Sequence, residues 1–378
     1  MPGVADAVRQ FGPAYLARHG ARVLPSHRRA LHDLAACRTA TLGGHVHRCD
    51  ACGYEHYPYH SCRNRSCPTC HGAATAAWLA AREAELLPVP YFHVVFTLPA
   101  ALRDLVRARQ RTLLPLLIRT DAESLQALAA DPHYVGGPIG VLAVLHTWTR
   151  ALVYHPHVHC LVPGGAPDPG DGTWRAARGD FLVPVRALTA RFRGRFLARL
   201  KAHLPGITLP PSVWQTPWVV YCKPTAQGSG CVLPYLARYV HRVAITDARV
   251  VAVGDDAVTF SYKDAKAIAA PRWRTMTLPG EEFLRRFLQH VLPRGVHKVR
   301  YYGLWHPAAR RRREALQRQL AASPTTPHPS SVAAEETTPA LARTRDEPCC
   351  PACGHGTLRV VGQLPRAQSR RLPSGIPP

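Results

Sequence analysis

One stretch restricts this chain more than any other: residues 152–162, LVYHPHVHCLV, set three histidines at alternate positions inside an apolar run. With a side-chain period of two, His155, His157 and His159 share one face of a strand, while Val158 and Cys160 point to the other. The chain must then contain a sheet with imidazoles on one side. Neutral imidazoles at neighbouring same-face positions can bind a divalent cation through two ring nitrogens, leaving positions for a third protein ligand, water or a phosphate oxygen. A half-buried strand with solvent-facing histidines has the same pattern, so the motif gains meaning only beside a second feature.

Residues 233–243, LPYLARYVHRV, supply that feature. Tyr235 and Tyr239 lie four apart and stand one above the other on a helix, with Arg238 and Arg242 forming the adjacent stripe. A phenol attacks a phosphodiester only when the charge on the non-bridging oxygens is balanced, and both a metal and arginine do this. Two tyrosines packed in a core with arginines outside are the plainer alternative.

Twelve cysteines in a chain without an apparent export signal point to metal or buried thiols before disulfides. Cys49-Asp-Ala-Cys52 and Cys67-Pro-Thr-Cys70 are two knuckles separated by 14 residues, a spacing that predicts one tetrahedral zinc site. Cys37 and Cys62 are left over, and Cys349, Cys350 and Cys353 in CCPACGH form half of another site that His355 or Cys37 and Cys62 could complete. Arg63, Asn64 and Arg65, between the knuckles, are placed to meet phosphates.

The formal charge of +24 and pI of about 10.2 suit a polyanionic partner whose affinity falls with salt. The basic residues are almost all arginine, lysine occurring only at Lys201, Lys223, Lys263, Lys266 and Lys298, a bias that a GC-rich genome also produces. No window has the apolar length of a membrane span and no signal-peptide core is visible, so the expected setting is the cytosol. Two short helices are expected over 5–36, broken at Pro25-Ser26, and another over 73–87. A first strand is expected at 91–97, helical periodicity runs over 99–130, and a further helix is expected at about 139–149. A surface loop follows at 166–178, a helix at 188–203 and a strand at 218–223. A hairpin is expected over 248–263, with Lys263 at its end and a strand carrying Arg272, Trp273 and Arg274 after it, a mixture that unpaired bases and phosphates can use. Helices at 280–292 and 307–320 close the ordered part.

The two histidine and tyrosine motifs together resemble the HUH endonuclease superfamily. The phrases YFHVVFTLPA (91–100), GVLAVLHTWTRALVYHPHVHCLVPGG (140–165), YLARYVHRVAI (235–245) and RWRTMTLPGEEFLRRFLQHVLPRG (272–295), with the cysteine run at 37–70, are similar to the rolling-circle transposases of the insertion sequence 91 family and related common-region elements. The resemblance covers roughly residues 10–320. It implies an α+β fold: an HUH-type catalytic domain with a central antiparallel sheet flanked by helices, preceded by a small four-cysteine zinc domain. The expected organisation is a zinc-binding DNA-contact domain over 1–88, a catalytic domain over 89–320, a linker over 321–347 and a cysteine-containing tail over 348–378.

The resemblance further implies that Tyr235 or Tyr239 attacks single-stranded DNA at element ends, giving a 5′-phosphotyrosine and a 3′-hydroxyl. His157 and His159 would hold Mg²⁺ or Mn²⁺, and Cys49, Cys52, Cys67 and Cys70 the structural Zn²⁺. The third ligand of the catalytic metal stays open among His155, Gln227 and His241. Arg238, Arg242, Lys263, Arg272 and Arg274 are the expected DNA contacts. The expected partner is DNA, both single-stranded ends and target, without a membrane or small-molecule substrate, and self-association stays open. A replication initiator or relaxase shares this chemistry, and a zinc-containing DNA-binding regulator shares the charge and cysteines without the cutting.

Overall fold

A computed structural model describes residues 2–225, 243–264, 273–322 and 349–367, apart from the side chains of 71–74. Helices α1 (Val4–His19) and α2 (Pro25–Ala36) come first, Pro25 taking the first helical position, where its missing N–H has no role. Strands β1 (Gly44–Cys49) and β2 (Glu55–His56) belong to the cysteine-rich module, and α3 (His71–Glu83) leads out of it. The central segment runs β3 (Tyr91–Thr97), α4 (Arg103–Ala108), α5 (Gln110–Ala129), β4 (Val141–Trp148), β5 (Tyr154–Pro163), β6 (Gly165–Pro167), β7 (Trp174–Ala176), α6 (Val185–His203), α7 (Ser212–Gln215) and β8 (Val219–Pro224). Then come β9 (Val250–Val253), β10 (Ala257–Lys263), β11 (Trp273–Pro279), α8 (Gly280–Leu288), β12 (Val299–Tyr302), α9 (Arg310–Ala322) and, in the tail, β13 (Leu358–Leu364). Most of the interval expected as a linker, 323–347, lies outside the described residues.

A five-stranded antiparallel sheet, in the order β12-β4-β5-β3-β8, forms the centre. Alternation decides its two faces. Phe92, Val94, Phe96, Ala143, Leu145, Val158, Cys160 and Val220 point one way and pack on α5 and α6, where Phe192 meets Phe96 with ring centroids 5.0 Å apart. On the other face, Leu142, Val144 and Leu161 meet Trp305 and the partly buried Trp78 and Leu79 of α3, while His146, His157 and His159 occupy the part of β4 and β5 nearer the turn that joins them. The architecture is the expected α+β one, with helices flanking a central antiparallel sheet.

The helix expected at 139–149 is instead strand β4. Its run VLAVLHTW is buried at every position but the last, because β4 lies between β12 and β5 and is covered on both faces. A strand buried on both sides loses its alternation and reads as a continuous apolar run, which periodicity cannot distinguish from a buried helix. The expected loop at 166–178 contains the short β6–β7 hairpin.

A second core joins the two ends of the main body. Val4, Val8 and Phe11 of α1 and Leu31 and Leu34 of α2 pack with Val258 and Phe260 of β10 and with Phe283, Leu284 and Phe287 of α8. The contact is close: a Cβ on Gly280 would lie 2.2 Å from the Phe11 ring. Residues 1–88 and 243–291 therefore share one core, so the line drawn at residue 88 is crossed by apolar packing. A third sheet, in the order β13-β1-β2, pairs the tail with the cysteine-rich module.

Candidate active site

In β5 the three histidines are half-buried while Pro156, Val158 and Cys160 are buried, as alternation requires. His146 of β4 stands directly opposite His157, and directly opposed residues share a face. One ligand nitrogen from each of His146, His157 and His159 lies within 4.8 Å of the other two. The ring centroids of His146 are 5.4 Å from His157 and 4.6 Å from His159. The turn joining β4 to β5 enforces this pairing at a cost: Leu152, fully buried, sits at φ 57°, where a branched side chain is strained. A register shift between His146 and Trp148 adds a bulge, and Trp148 stacks on His146 with centroids 4.5 Å apart.

Neighbours set the tautomers. The Nδ1–H of His157 donates to the backbone carbonyl of His155 at 2.7 Å, which leaves the lone pair on Nε2. Nδ1 of His159 lies 2.9 Å from Nε2 of His93 on β3. Burial first, and then the neighbouring His157, hold His93 down to about 4, so it is neutral, and in the tautomer whose Nε2 accepts from His159 the His159 lone pair also falls on Nε2. Such outer partners fix the tautomer and aim of a ligating imidazole. His155 is on the same face but outside the converging set, because Arg103 of α4 donates from Nη2 to its Nδ1 at 2.8 Å. Burial, His157 and Arg103 together hold His155 down to about 4.

The third imidazole of the set is thus His146, which the sequence reading did not single out. His155 is engaged by Arg103, and Gln227 and His241 lie outside the described residues. So do Tyr235, Tyr239, Arg238, Arg242 and Arg272. Toward β8 the histidine face opens: Val219 and Tyr221 are 55% and 42% exposed, and Lys223 lies over the Tyr221 ring at 5.4 Å.

The four cysteines expected in one zinc site are divided between two sets. Cys67 and Cys70 join Cys37 and Cys62, with Sγ separations of 3.4 Å (Cys37–Cys70), 3.6 Å (Cys62–Cys70) and 3.6 Å (Cys37–Cys67). Cys49 and Cys52 join Cys350 and Cys353. The division has a physical cause. Cys49 ends β1, so its knuckle sits at the tip of the β1–β13 ribbon, whereas Cys67 is packed into the core against α1 and α2. Four thiolates around one ion at bond lengths of about 2.3 Å stand roughly 3.8 Å apart, so the first set has single-ion spacing.

Residues 7–98 match the family model described as Transposase zinc-binding domain, and residues 140–314 the one described as Putative transposase. The Putative transposase y4qJ of Sinorhizobium fredii (strain NBRC 101917 / NGR234) is 40% identical over 385 residues, covering 95% of this chain and 95% of its own. The chain belongs to the insertion sequence 91 family of transposases. The transposase for insertion sequence element IS801 of Pseudomonas savastanoi pv. phaseolicola is 30% identical over 292 residues, 71% of this chain and 68% of its own. No solved structure matches.

As a transposase, the protein is a DNA-processing enzyme, and family membership favours that outcome over the initiator, relaxase and regulator readings. Its first cysteine set lies wholly inside the matched zinc-binding domain, and match and spacing together support structural Zn²⁺. No helix among the described residues is long and apolar enough to cross a membrane. Of the expected DNA contacts, Lys263 ends β10 and Arg274 of β11 pairs with Asp264 at 3.2 Å. A larger basic surface is a cleft of about 1110 Å³ between the cysteine module, α4 and the segment after α8. Exposed Arg29, Arg63, Arg107, Arg109, Arg111 and Arg294 line it, with Asp33 as the lining carboxylate. Arg65, expected to face phosphate, instead donates to the carbonyls of Leu292, Pro293 and Val296 and ties the module to the body.

Proposed function

We propose that this transposase nicks and rejoins single-stranded DNA at element ends through a 5′-phosphotyrosine on Tyr235 or Tyr239, driving rolling-circle transposition. The observation that carries this reading is the convergence of His146, His157 and His159 on the open face of the central sheet, each aimed by a neighbour. An all-imidazole set fits Mn²⁺ better than Mg²⁺, which prefers oxygen ligands. His146, His157 and His159 would hold such a cation, which would supply charge neutralisation at the scissile phosphate.

The chain's own groups do the rest. A tyrosine oxygen bonds to phosphorus as the bond to the 3′ oxygen breaks, and the proton lost by the phenol is matched by one gained at the 3′ hydroxyl. The bond energy is kept in the phosphotyrosine, so rejoining requires no nucleotide cofactor. Two tyrosines four positions apart in the sequence suit two strand exchanges in turn. Arg103 beside His155 and Arg107 one turn further along α4, with Arg111 at the start of α5, extend the basic cleft toward the histidines. Tyr221, exposed on the same face, offers a ring on which an unpaired base stacks.

Incubating the full-length protein with single-stranded element-end oligonucleotides and Mn²⁺ should give a nicked product and a covalent adduct that survives boiling in detergent. Tyr235→Phe/Tyr239→Phe should abolish both. An adduct that persists in that double variant, or no nicking with any divalent metal, would overturn the reading.

A further inference from the structure

The second cysteine set lies partly outside the matched zinc-binding region, since Cys350 and Cys353 come from the far end of the chain. Two copies of one local design face each other there. Cys49-Asp-Ala-Cys52-Gly53 turns back with the Gly53 N–H on the Cys49 carbonyl at 3.2 Å and Gly53 at φ 70°. Cys350-Pro-Ala-Cys353-Gly354 repeats it, the Gly354 N–H donating to the Cys350 carbonyl at 2.9 Å with Gly354 at φ 76°. Backbone N–H groups also approach sulfur, from Cys52 to Cys49 at 3.5 Å and from Gly356 to Cys353 at 3.4 Å, the arrangement that favours thiolates.

Register brings the two turns together. β1 and β13 pair antiparallel from Gly44 opposite Leu364 to Cys49 opposite Leu358, so both knuckles fall at one end of the ribbon. The Sγ atoms stand 3.8 Å apart for Cys49 and Cys353 and 3.7 Å apart for Cys52 and Cys350, with all four within 4.8 Å. That is the spacing of four thiolates on a single ion with bonds of about 2.3 Å, far beyond the 2.05 Å of a disulfide. An iron–sulfur cluster, with its own irons and sulfides between the ligands, demands a wider cage. The neighbouring Cys349 is not in the set, because its thiol donates to the Gly354 carbonyl at 2.9 Å. The apolar cluster here consists of Cys49, Cys350, Leu358 and the partly buried Cys353, too little to dock a tail by hydrophobic burial.

We propose that Cys49, Cys52, Cys350 and Cys353 hold a second Zn²⁺, and that this ion clasps the C-terminal tail onto the N-terminal module. The module is then assembled from both ends of the chain, and the metal supplies the energy that its small core does not. The inference concerns metal and assembly and is independent of the cutting chemistry.

Elemental analysis of the full-length protein should return about two zinc ions per chain, one for each four-thiolate set. Cys350→Ser/Cys353→Ser should lower this to about one while the cysteines nearer the body keep theirs. A second variant carries a protease recognition sequence within 323–348. After cleavage its tail fragment should co-elute with the body in gel filtration and separate once a chelator has removed zinc. One zinc in the wild type, iron in place of zinc, two disulfides linking these cysteines, or a tail that leaves with zinc present or stays after its removal would each overturn the clasp.

Discussion

At the scale of single residues, the site depends on which nitrogen of each imidazole carries the proton. The His155 carbonyl decides this for His157, and for His159 the partner is the buried His93 ring, which holds its Nδ1 at 2.9 Å. Behind the same sheet, Asp121 of α5 is fully buried and neither carboxylate oxygen has a hydrogen-bond partner outside its own residue. Burial pushes its carboxyl well above the usual range. A folded-state value raised above the unfolded one gives stability that is complete below the unfolded value and is lost as pH rises toward the folded one. The neutral isostere Asp121→Asn should therefore gain on the wild type as pH rises from 4 to 8, reaching about 1–3 kcal/mol in chemical denaturation. A difference that stays flat with pH would show that Asp121 is not held protonated. The burial of Asp121 is invisible to pattern reading, since a carboxylate next to Thr120 and near Ser124 reads as part of a polar helix face.

At the scale of elements, β5 was legible and β4 was not, for one reason. β5 keeps a half-open face, so its histidines alternate with buried residues, while β4 is enclosed and its alternation is erased. His146 was hidden with it: a strand's parity can be read from sequence, but which residue it faces across the ladder cannot. The zinc knuckles were each legible as local turns, yet the pairing of Cys49 and Cys52 with Cys350 and Cys353 followed from strand register between segments more than 290 residues apart, and Cys67 and Cys70 took Cys37 and Cys62 instead. The element with the clearest functional prediction is α4 with the start of α5. Arg107→Ala/Arg111→Ala should weaken binding of single-stranded DNA and reduce the slope of log affinity against log salt by about 1.4, two phosphate contacts at about 0.7 each. An unchanged slope would remove the cleft from the DNA path.

At the scale of the whole molecule, the protein is held together across its sequence rather than along it. α1 and α2 share a core with β10 and α8, Arg65 ties the cysteine module to the segment after α8, and β13 returns from the tail to pair with β1. These returns are not legible in the sequence, because apolar side chains at 4–11 and 258–287 carry no mark of their partners. What the assembly positions is the histidine face, and its three converging nitrogens are the basis of the mechanism proposed above. The most direct measurement is a Mn²⁺ titration of the full-length, zinc-replete protein followed by the loss of the free-ion electron paramagnetic resonance signal. The wild type should bind about one Mn²⁺, His146→Ala, His157→Ala and His159→Ala should each weaken it by at least about tenfold, and His155→Ala should weaken it far less. Binding by His146→Ala as tight as the wild type's would contradict the three-imidazole centre.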